Sequence, residues 1–183
     1  MKIPAPVKPM PSGEGVECMT NKDSKNMIFI RAKDMDGHSY INDLNTIMDI
    51  ELKIFPKDAF SRNSYRNLMK NDNALIYMVM MDDKIVGHGT AMLTLLRNKK
   101  KKGRIYSIGV LKEYRRQGVA KRLLRVMEDW LIQNKAEYIT LETHEHDSHV
   151  IKFYEKSGYV KTEDLPDYYE GANGIRMRKT FTV

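Results

Sequence analysis

The sequence contains one cysteine and no long hydrophobic run. Cys18 has no second cysteine to pair with, which excludes an intrachain disulfide and a cysteine-based metal cluster. The longest strongly apolar run, Ala74 to Met81, is well under half the length that a bilayer-spanning helix needs. The proline-spaced start lacks the apolar core of a signal peptide. These absences predict a cytoplasmic protein that does not enter a membrane.

Two common phosphate-binding motifs are also missing. Neither the P-loop pattern G-x-x-x-x-G-K-[ST] nor the dinucleotide pattern G-x-G-x-x-G occurs in the chain. The stretch GHGTAM, which begins at Gly87, matches the second pattern for only three residues and lies within a predicted strand. A phosphate site in this chain must therefore be built in another way.

Acidic residues are scarce in one stretch, Arg97 to Arg125. It carries 12 Lys or Arg residues and one acidic residue, Glu113, which leaves 19 basic and 23 acidic residues elsewhere. A local positive patch is typical of a surface that binds phosphate, nucleic acid or an acidic partner. The lysine run at 98–104 is predicted to form an exposed hairpin turn, so we expect an anion to bind further along the stretch.

Length and apolar content set the domain organisation. A chain of 183 residues with 42% apolar residues is large enough for one domain with a core and too small for two typical domains. Residues 1–25 are rich in Pro, Gly, Ser and Lys and lack apolar periodicity, so they are predicted to form a flexible leader. Residues 26–183 are predicted to form the folded domain.

Hydrophobic periodicity and turn residues predict the order of the elements in that domain. The order is a strand, two helices, three strands, a helix, a strand, a helix and two strands, which indicates a mixed α/β domain around one sheet. Asp82 and Asp83 are predicted to form a hairpin turn. Ser61 and Ser148 are predicted to cap the second and the last helix.

The stretch EYRRQGVAKRLL, residues 113–124, places a glycine and four cations where a helix begins after a strand that ends at Val110. The first N–H groups of a helix have no partner within the helix, and together they can bind a phosphate. Gly118 leaves room for a close approach, and Arg115 and Arg116 add positive charge. The stretch therefore predicts a phosphate site.

The same residues resemble the pyrophosphate-binding motif of a known family. Arg115 to Ala120 fits the pattern Arg/Gln-x-x-Gly-x-Gly/Ala of the GNAT superfamily of acetyltransferases, with SIGVLKEY before it at the expected distance. The resemblance runs from about Asn26 to Thr182. It implies a GNAT fold: an α/β domain whose mixed, mostly antiparallel central sheet is splayed between strands 4 and 5 and flanked by about four helices.

The resemblance also implies acetyl-CoA as the cosubstrate. The pantetheine arm is expected to pair with the backbone of the strand end, and the pyrophosphate is expected to lie at the helix start. The Val110 N–H would then be available to the developing oxyanion. The implied cofactor-binding residues are Ile108, Gly109, Val110, Arg115, Arg116, Gln117, Gly118, Val119, Ala120, Lys121 and Asp147.

Two catalytic residues follow from the resemblance. Tyr154 matches the general acid that protonates the departing thiolate; its alternative is a core tyrosine. Glu142 matches the carboxylate that the ribosomal-protein alanine acetyltransferases use as a base through water; its alternatives are an exposed edge and a structural ion pair. Arg104 stands where some N-terminal acetyltransferases have Tyr or His, so Glu142 would act alone. Asp147 replaces the usual Asn and is expected to cap the helix that follows.

Two segments resemble the peptide-gripping loops of the ribosomal-protein alanine and archaeal N-terminal acetyltransferases. FPKDAFS precedes the second helix, and LPDYYEG precedes the last strand. The resemblance implies that Phe55, Pro56, Tyr168 and Tyr169 bind the substrate. The implied substrate is the N-terminus of a protein or peptide.

The cluster HEHDSH contains His144, His146 and His149. The first two are predicted to share one face of a strand and could form half of a zinc site. A third ligand on a neighbouring element is not apparent from the sequence. We therefore expect no metal and interpret the histidines as polar lining of the acceptor site or as surface residues.

Three functions remain open from the sequence. The favoured one is an N-terminal protein acetyltransferase, with ribosome association as an accompanying expectation. The second keeps the enzyme and changes the acceptor to a lysine side chain, a polyamine or an aminoglycoside-like amine. The third is a non-catalytic RNA-binding or ribosome-binding module that uses the basic stretch, although no specific nucleic acid is expected.

Overall fold

The computed structural model describes residues 27–31 and 44–181. The predicted leader, residues 1–25, lies outside the described residues. The strands are β1 (Met27–Arg31), β2 (Ala74–Met81), β3 (Lys84–Leu95), β4 (Lys101–Val110), β5 (Ala136–His144), β6 (Val160–Tyr169) and β7 (Ala172–Thr180). The helices are α1 (Leu44–Ile54), α2 (Arg62–Lys70), α3 (Val119–Gln133) and α4 (Ser148–Lys156), and a short 3₁₀ turn, Lys112–Tyr114, precedes α3.

The element order predicted from the sequence is confirmed. The seven strands form one sheet in the order β1-β2-β3-β4-β5-β7-β6, with every neighbouring pair antiparallel except β4 and β5, which are parallel. Strands β4 and β5 pair only where Lys101–Arg104 lies beside Ala136–Thr140. Beyond Arg104 they diverge, so the expected splay is confirmed and opens a gap in the sheet.

Helices cover the two faces of the sheet. On one side, called here the α3 face, Leu123, Met127 and Leu131 pack with Ile139 and Leu141 of β5 in the main core. Alternation along a strand sends neighbouring side chains to opposite faces. The even-numbered residues of β5 therefore point to the other side, called the α1–α2 face.

A second, smaller core lies on the α1–α2 face. Ile47 and Ile50 of α1 and Tyr65 of α2 pack against Ile76 and Met78 of β2. The aliphatic side chains of α1 recur at three- and four-residue spacing, which gives this helix one apolar side. None of the described helices is long and apolar enough to cross a membrane.

Three local predictions are confirmed, among them Asp147 as the cap of α4, and one, Ser148 as that cap, is wrong. Asp82 and Asp83 form the hairpin turn, with φ of 47° and 58°. Ser61 caps α2 by accepting from the Ser64 N–H at 3.1 Å. The cap of α4 is Asp147, not Ser148, and accepts from the Val150 N–H at 3.2 Å. The helix begins one residue earlier than predicted, since the Asp147 carboxylate satisfies a first-turn N–H.

Two predicted loops are shorter than expected. The segment LPDYYEG belongs largely to β6, which continues to Tyr169 with an irregularity in its pairing between Leu165 and Tyr169. The lysine run turns only at 97–99, and Lys101 and Lys102 already belong to β4. In both places strand pairing extends into polar residues, because ladder hydrogen bonds do not depend on an apolar side chain.

Candidate active site

The start of α3 forms an open cradle of backbone N–H groups. The first helical hydrogen bond runs from the Arg122 N–H to the Gly118 carbonyl, which leaves the N–H groups of Val119, Ala120 and Lys121 without a partner in the helix. Gly118 has φ of +80°, and a Cβ added there would meet no atom within 4 Å. The conformation favours glycine, and the space in front of it is free.

Two polar side chains hold the segment between β4 and α3 in place. The Arg115 Nε donates to the Val110 carbonyl at 3.0 Å, and the Gln117 side chain donates to the Glu113 carbonyl at 3.2 Å. Arg115 and Arg116 are exposed beside the cradle. Arg115 therefore ties the loop to the end of β4 as well as adding charge, a contact that the sequence did not predict.

The end of β4 presents unpaired backbone groups to the gap. The Leu111 N–H donates to the Val86 carbonyl at 2.8 Å, and antiparallel pairing alternates from residue to residue. The N–H groups of Ile108 and Val110 therefore face away from β3, on the side where β5 has diverged. An extended ligand that carries amide groups can pair with them.

These two features fit acetyl-CoA. An anionic pyrophosphate suits the free N–H groups and the positive charge at the start of α3. The amide groups of pantetheine suit the free edge of β4. The cosubstrate implied by the motif can thus be held by residues 108–110 and 115–121.

The loop between α1 and α2 lies directly on the end of β4. A Cβ added at Gly109 would meet Ile54 at 2.6 Å and Phe55 at 2.8 Å, so a larger residue would force the end of α1 to shift. The Phe60 ring lies 6.5 Å from the Tyr106 ring. Phe55 is half-buried, and Pro56 is exposed at the start of the turn. The structure therefore brings Phe55 beside the strand residues predicted to hold the cosubstrate.

A buried polar network holds this loop in place. Glu51 on α1 is 1% exposed and accepts from the Phe60 N–H at 2.9 Å and from the Tyr65 hydroxyl at 3.0 Å. The His88 Nε2 on β3 lies 2.7 Å from Oε2 of Glu51, the same oxygen that accepts from Tyr65. Burial alone would raise the pKa of the Glu51 carboxyl, but the contacts with His88, Phe60 and Tyr65 together hold this pKa below its usual value.

Replacing Glu51 by Ala is expected to lower the free energy of unfolding at pH 7 by about 3 kcal/mol or more, because three buried groups lose their acceptor. Urea unfolding measures this loss.

The loss should also depend on pH. A carboxyl whose pKa is lowered by folding stabilises the fold above its pKa in the unfolded chain, about 4.3. It ceases to do so as the pH falls through its pKa in the folded protein. The deficit should therefore shrink below about pH 4. Asp49→Ala, on the exposed side of α1, is the control; an equal deficit at pH 3 and pH 7 would contradict the account.

Glu142 lies on β5, and both of its carboxylate oxygens contact a guanidinium. The Arg104 Nη2 is 2.7 Å from Oε2, and the Arg176 Nε donates to Oε1 at 2.9 Å. Arg176 also pairs with Glu163. The ion pair that the sequence left open for this acidic residue is therefore present. A carboxylate has about four lone-pair sites, so sites remain that can hold a water molecule.

The end of the β6–β7 hairpin meets these elements at the mouth of the gap. The Arg104 Nη2 donates to the Tyr168 hydroxyl at 2.7 Å. The Tyr169 ring stacks on His144 with centroids 3.7 Å apart, and the His144 Nε2 lies 3.6 Å from the Asp58 carboxylate. Asp58, His144 and Tyr169 thus connect the α1–α2 loop to the hairpin across the gap.

Several of these residues were not found from the sequence. Asp58 and the Glu51 network were missed, and Arg104 was noticed only as a departure from the family. One signal was available: Glu51 lies on the apolar side of α1, between isoleucines at helical spacing. Asp58 lies in the predicted loop FPKDAFS, but nothing local indicates its contact with His144, which comes from a distant strand.

Tyr154 on α4 is 7% exposed and packs edge-on against the rings of Phe153 and Tyr159. Burial, with a smaller contribution from nearby Tyr169, raises the pKa of the Tyr154 hydroxyl well above its usual value. Burial likewise raises the pKa of Tyr169 to about 12. Tyr154 therefore keeps its proton near neutral pH and can donate it.

Two of the three histidines lie close together, with the ring centroids of His144 and His146 5.1 Å apart. Strand β5 ends at His144, so His146 lies in the turn that follows rather than on the strand, and His149 lies on α4. The expectation that His144 and His146 share a strand face is therefore wrong. Among residues 27–31 and 44–181, no three potential metal ligands come together.

Comparison with known proteins agrees with this geometry. Residues 44–159 match the acetyltransferase (GNAT) family. The N-alpha-acetyltransferase 30 of Schizosaccharomyces pombe is 25% identical over 141 residues, 76% of this chain and 91% of that protein. An N-alpha-acetyltransferase of Saccharolobus solfataricus is 27% identical over 148 residues, 76% of this chain and 88% of that protein.

Solved structures show the same fold. A NatC complex bound to Gag peptide and CoA contains a chain that superposes with a TM-score of 0.72 at 19% identity, over 85% of this chain and 99% of that one. The family match covers more than half of the sequence and includes the glycine-bearing start of α3 and the diverging strands. The chain belongs to the GNAT family of acetyltransferases, with acetyl-CoA as its acetyl donor.

Proposed function

We propose that this acetyltransferase modifies the α-amino group of protein N-termini. The observation that carries the proposal is that side-chain contacts connect the two loops on either side of the gap between β4 and β5. The α1–α2 loop and the β6–β7 hairpin flank the end of β4 and meet through Asp58, His144 and Tyr169. A mouth closed on two sides in this way admits a chain end more easily than an internal segment. The names of the relatives from S. pombe and S. solfataricus support the same acceptor.

The chain's own residues supply the chemistry that direct transfer needs. Bound acetyl-CoA offers a thioester that an amine can attack. The Val110 N–H stabilises the charge that develops on the carbonyl oxygen. Tyr154 gives its proton to the departing thiolate, and Glu142 takes up the proton of the amine through a bound water molecule. Phe55 and Pro56 on one side and Tyr168 and Tyr169 on the other hold the backbone of the acceptor.

An α-amine also suits this set of residues. Its pKa is about 7.7–8.0, against about 10.4 for a lysine side chain, so near neutral pH its neutral form is some hundreds of times more abundant. Both oxygens of Glu142 are already in contact with arginines. Glu142 therefore acts through a water molecule and without a second base. One such carboxylate is enough for an α-amine, because an α-amine loses its proton more easily than a lysine side chain does.

The direct test is a pair of peptides that begin with Ser and carry the same internal lysine, one with a free and one with a formylated N-terminus. Mass spectrometry is expected to find acetyl transfer to the free α-amine and at least about tenfold slower modification of the lysine. Equal turnover of both peptides would assign the acceptor to lysine. Efficient turnover of spermidine, with neither peptide modified, would assign it to small amines.

We also propose that the protein works at the ribosome, in the cytoplasm, where nascent N-termini emerge. The exposed cations at Arg97, Lys99 and Lys100, at the β3–β4 turn, support this partner because ribosomal RNA is a polyanion. Co-sedimentation with ribosomes that falls steeply with salt is the expected result, and no co-sedimentation at low salt would contradict it.

A further inference from the structure

A concave pocket of about 280 Å³ lies on the α1–α2 face of the sheet, beside Glu142. Four cations line it: Lys102 and Arg104 from β4, and Arg176 and Arg178 from β7. We call it the cationic pocket. It is open to solvent, and among the described residues Glu142 is the one carboxylate in its wall.

The four cations are not equally engaged. Arg104 and Arg176 neutralise Glu142, and Arg176 pairs with Glu163 as well. Lys102 and Arg178 have no carboxylate within salt-bridge distance in the part of the chain that the structure describes. The cationic pocket therefore presents two uncompensated positive charges.

Arg178 is held in a position that suits an anionic ligand. Its guanidinium lies over the Tyr138 ring, with Cζ 3.8 Å from the ring centroid. Its Nε atom is buried and has no hydrogen-bond acceptor among the described residues. No acceptor of the described residues therefore competes at this atom, and an anion in the pocket can pair with the charge of the guanidinium.

The cationic pocket is continuous with the acceptor site. In the register of the sheet, Glu142 lies beside Arg176, Thr140 beside Arg178, and Tyr138 beside Lys102. At about 3.3 Å per residue, the Arg178 row is about 7 Å and the Lys102 row about 13 Å from Glu142 along β5. An extended chain whose amine lies at Glu142 reaches these two rows with its third to fifth residues.

We propose that the cationic pocket binds an acidic side chain within about the first five residues of the acceptor, so that the enzyme prefers acidic N-terminal segments. This rests on the α-amine acceptor proposed above. Lys102 supplies a mobile charge, and Arg178 supplies a guanidinium held against the Tyr138 ring. A nucleic acid fits less well, because Arg178 already covers one face of the Tyr138 ring on which a base could stack.

The test uses two peptides with the same first two residues, one with Asp-Glu-Asp and one with Asn-Gln-Asn at positions 3–5. For the native enzyme, kcat/KM is expected to be about tenfold higher for the acidic peptide at low salt, with the ratio falling as ionic strength rises. In the double variant Lys102→Gln, Arg178→Gln the ratio is expected to fall below about two. Lys70→Gln, which removes an exposed charge at the end of α2, is the matched control and should keep the native ratio.

Each outcome decides one claim. Equal kcat/KM for the two peptides with the native enzyme would overturn the cationic pocket as an acceptor subsite and leave the α-amine acceptor standing. A native-like ratio in the double variant, or an equal loss in Lys70→Gln, would overturn the assignment to Lys102 and Arg178. Transfer to neither peptide would overturn the proposed function together with this inference.

Discussion

Gly118→Glu is expected to reduce the affinity for acetyl-CoA by at least about 10²-fold. The new carboxylate would stand at the start of α3, where unpaired N–H groups attract an anion, and would compete with the pyrophosphate and repel it. A Cβ added at Gly118 meets no atom within 4 Å, so the fold leaves room where the new side chain begins. Calorimetric titration of the folded variant with acetyl-CoA measures the effect.

Gly171→Glu is the matched control for this experiment. Gly171 also has positive φ, +70°, and a Cβ added there meets no atom within 4 Å. The substitution therefore brings the same charge and a similar backbone strain, about 1–2 kcal/mol, to the β6–β7 turn instead of the start of α3. Native affinity is expected. Unchanged affinity in Gly118→Glu, or the same loss in both variants, would contradict the phosphate-binding role of the α3 start.

Tyr154→Phe is expected to lower kcat by about 10²-fold or more, with little change in the affinity for acetyl-CoA. The variant keeps the buried ring and removes only the hydroxyl that would protonate the thiolate. Since burial raises the pKa of this hydroxyl, the native enzyme should keep it protonated from pH 6 to 9. The loss in kcat is therefore expected at every pH in that range, as initial rates at saturating substrates can show.

Tyr159→Phe controls for the loss of a buried hydroxyl. Tyr159 contacts the Tyr154 ring, is 1% exposed, and also has a pKa raised by burial. It lies just after α4 and has no part in the proposed chemistry, so its kcat should stay within about twofold of native. Full activity of Tyr154→Phe, or a comparable loss in Tyr159→Phe, would remove Tyr154 from the mechanism.

The features predicted from sequence are those that short stretches encode. The cradle at α3 depends on one glycine in a positive-φ position and on a helix start beside it, and both lie within a few residues. The element order follows from apolar spacing and from turn residues such as Asp82 and Asp83. The divergence of β4 and β5 was implied only by the resemblance to a family, because no local pattern specifies where two strands cease to pair.

The features missed depend on contacts between distant elements. Glu142 is separated by 34 residues from its partner Arg176, so the ion pair that surrounds this carboxylate could be stated only as an alternative. The same holds for Asp58 and His144, which meet across the gap. Charge patterning along one strand indicates which face is polar, but the register between strands decides which charges neutralise each other.

The gap between β4 and β5 begins beyond Arg104 and separates the ends of the two strands. The cradle belongs to α3 and its face, whereas the α1–α2 loop and the side chain of Glu142 lie on the opposite face. With the roles proposed above, the acetyl donor and the acceptor approach the thioester from opposite faces. In kinetic terms, both substrates can occupy the enzyme at once, and neither has to leave before the other enters. Steady-state analysis should accordingly give intersecting lines, the signature of a ternary complex, and not the parallel lines of a mechanism that stores the acetyl group on the protein.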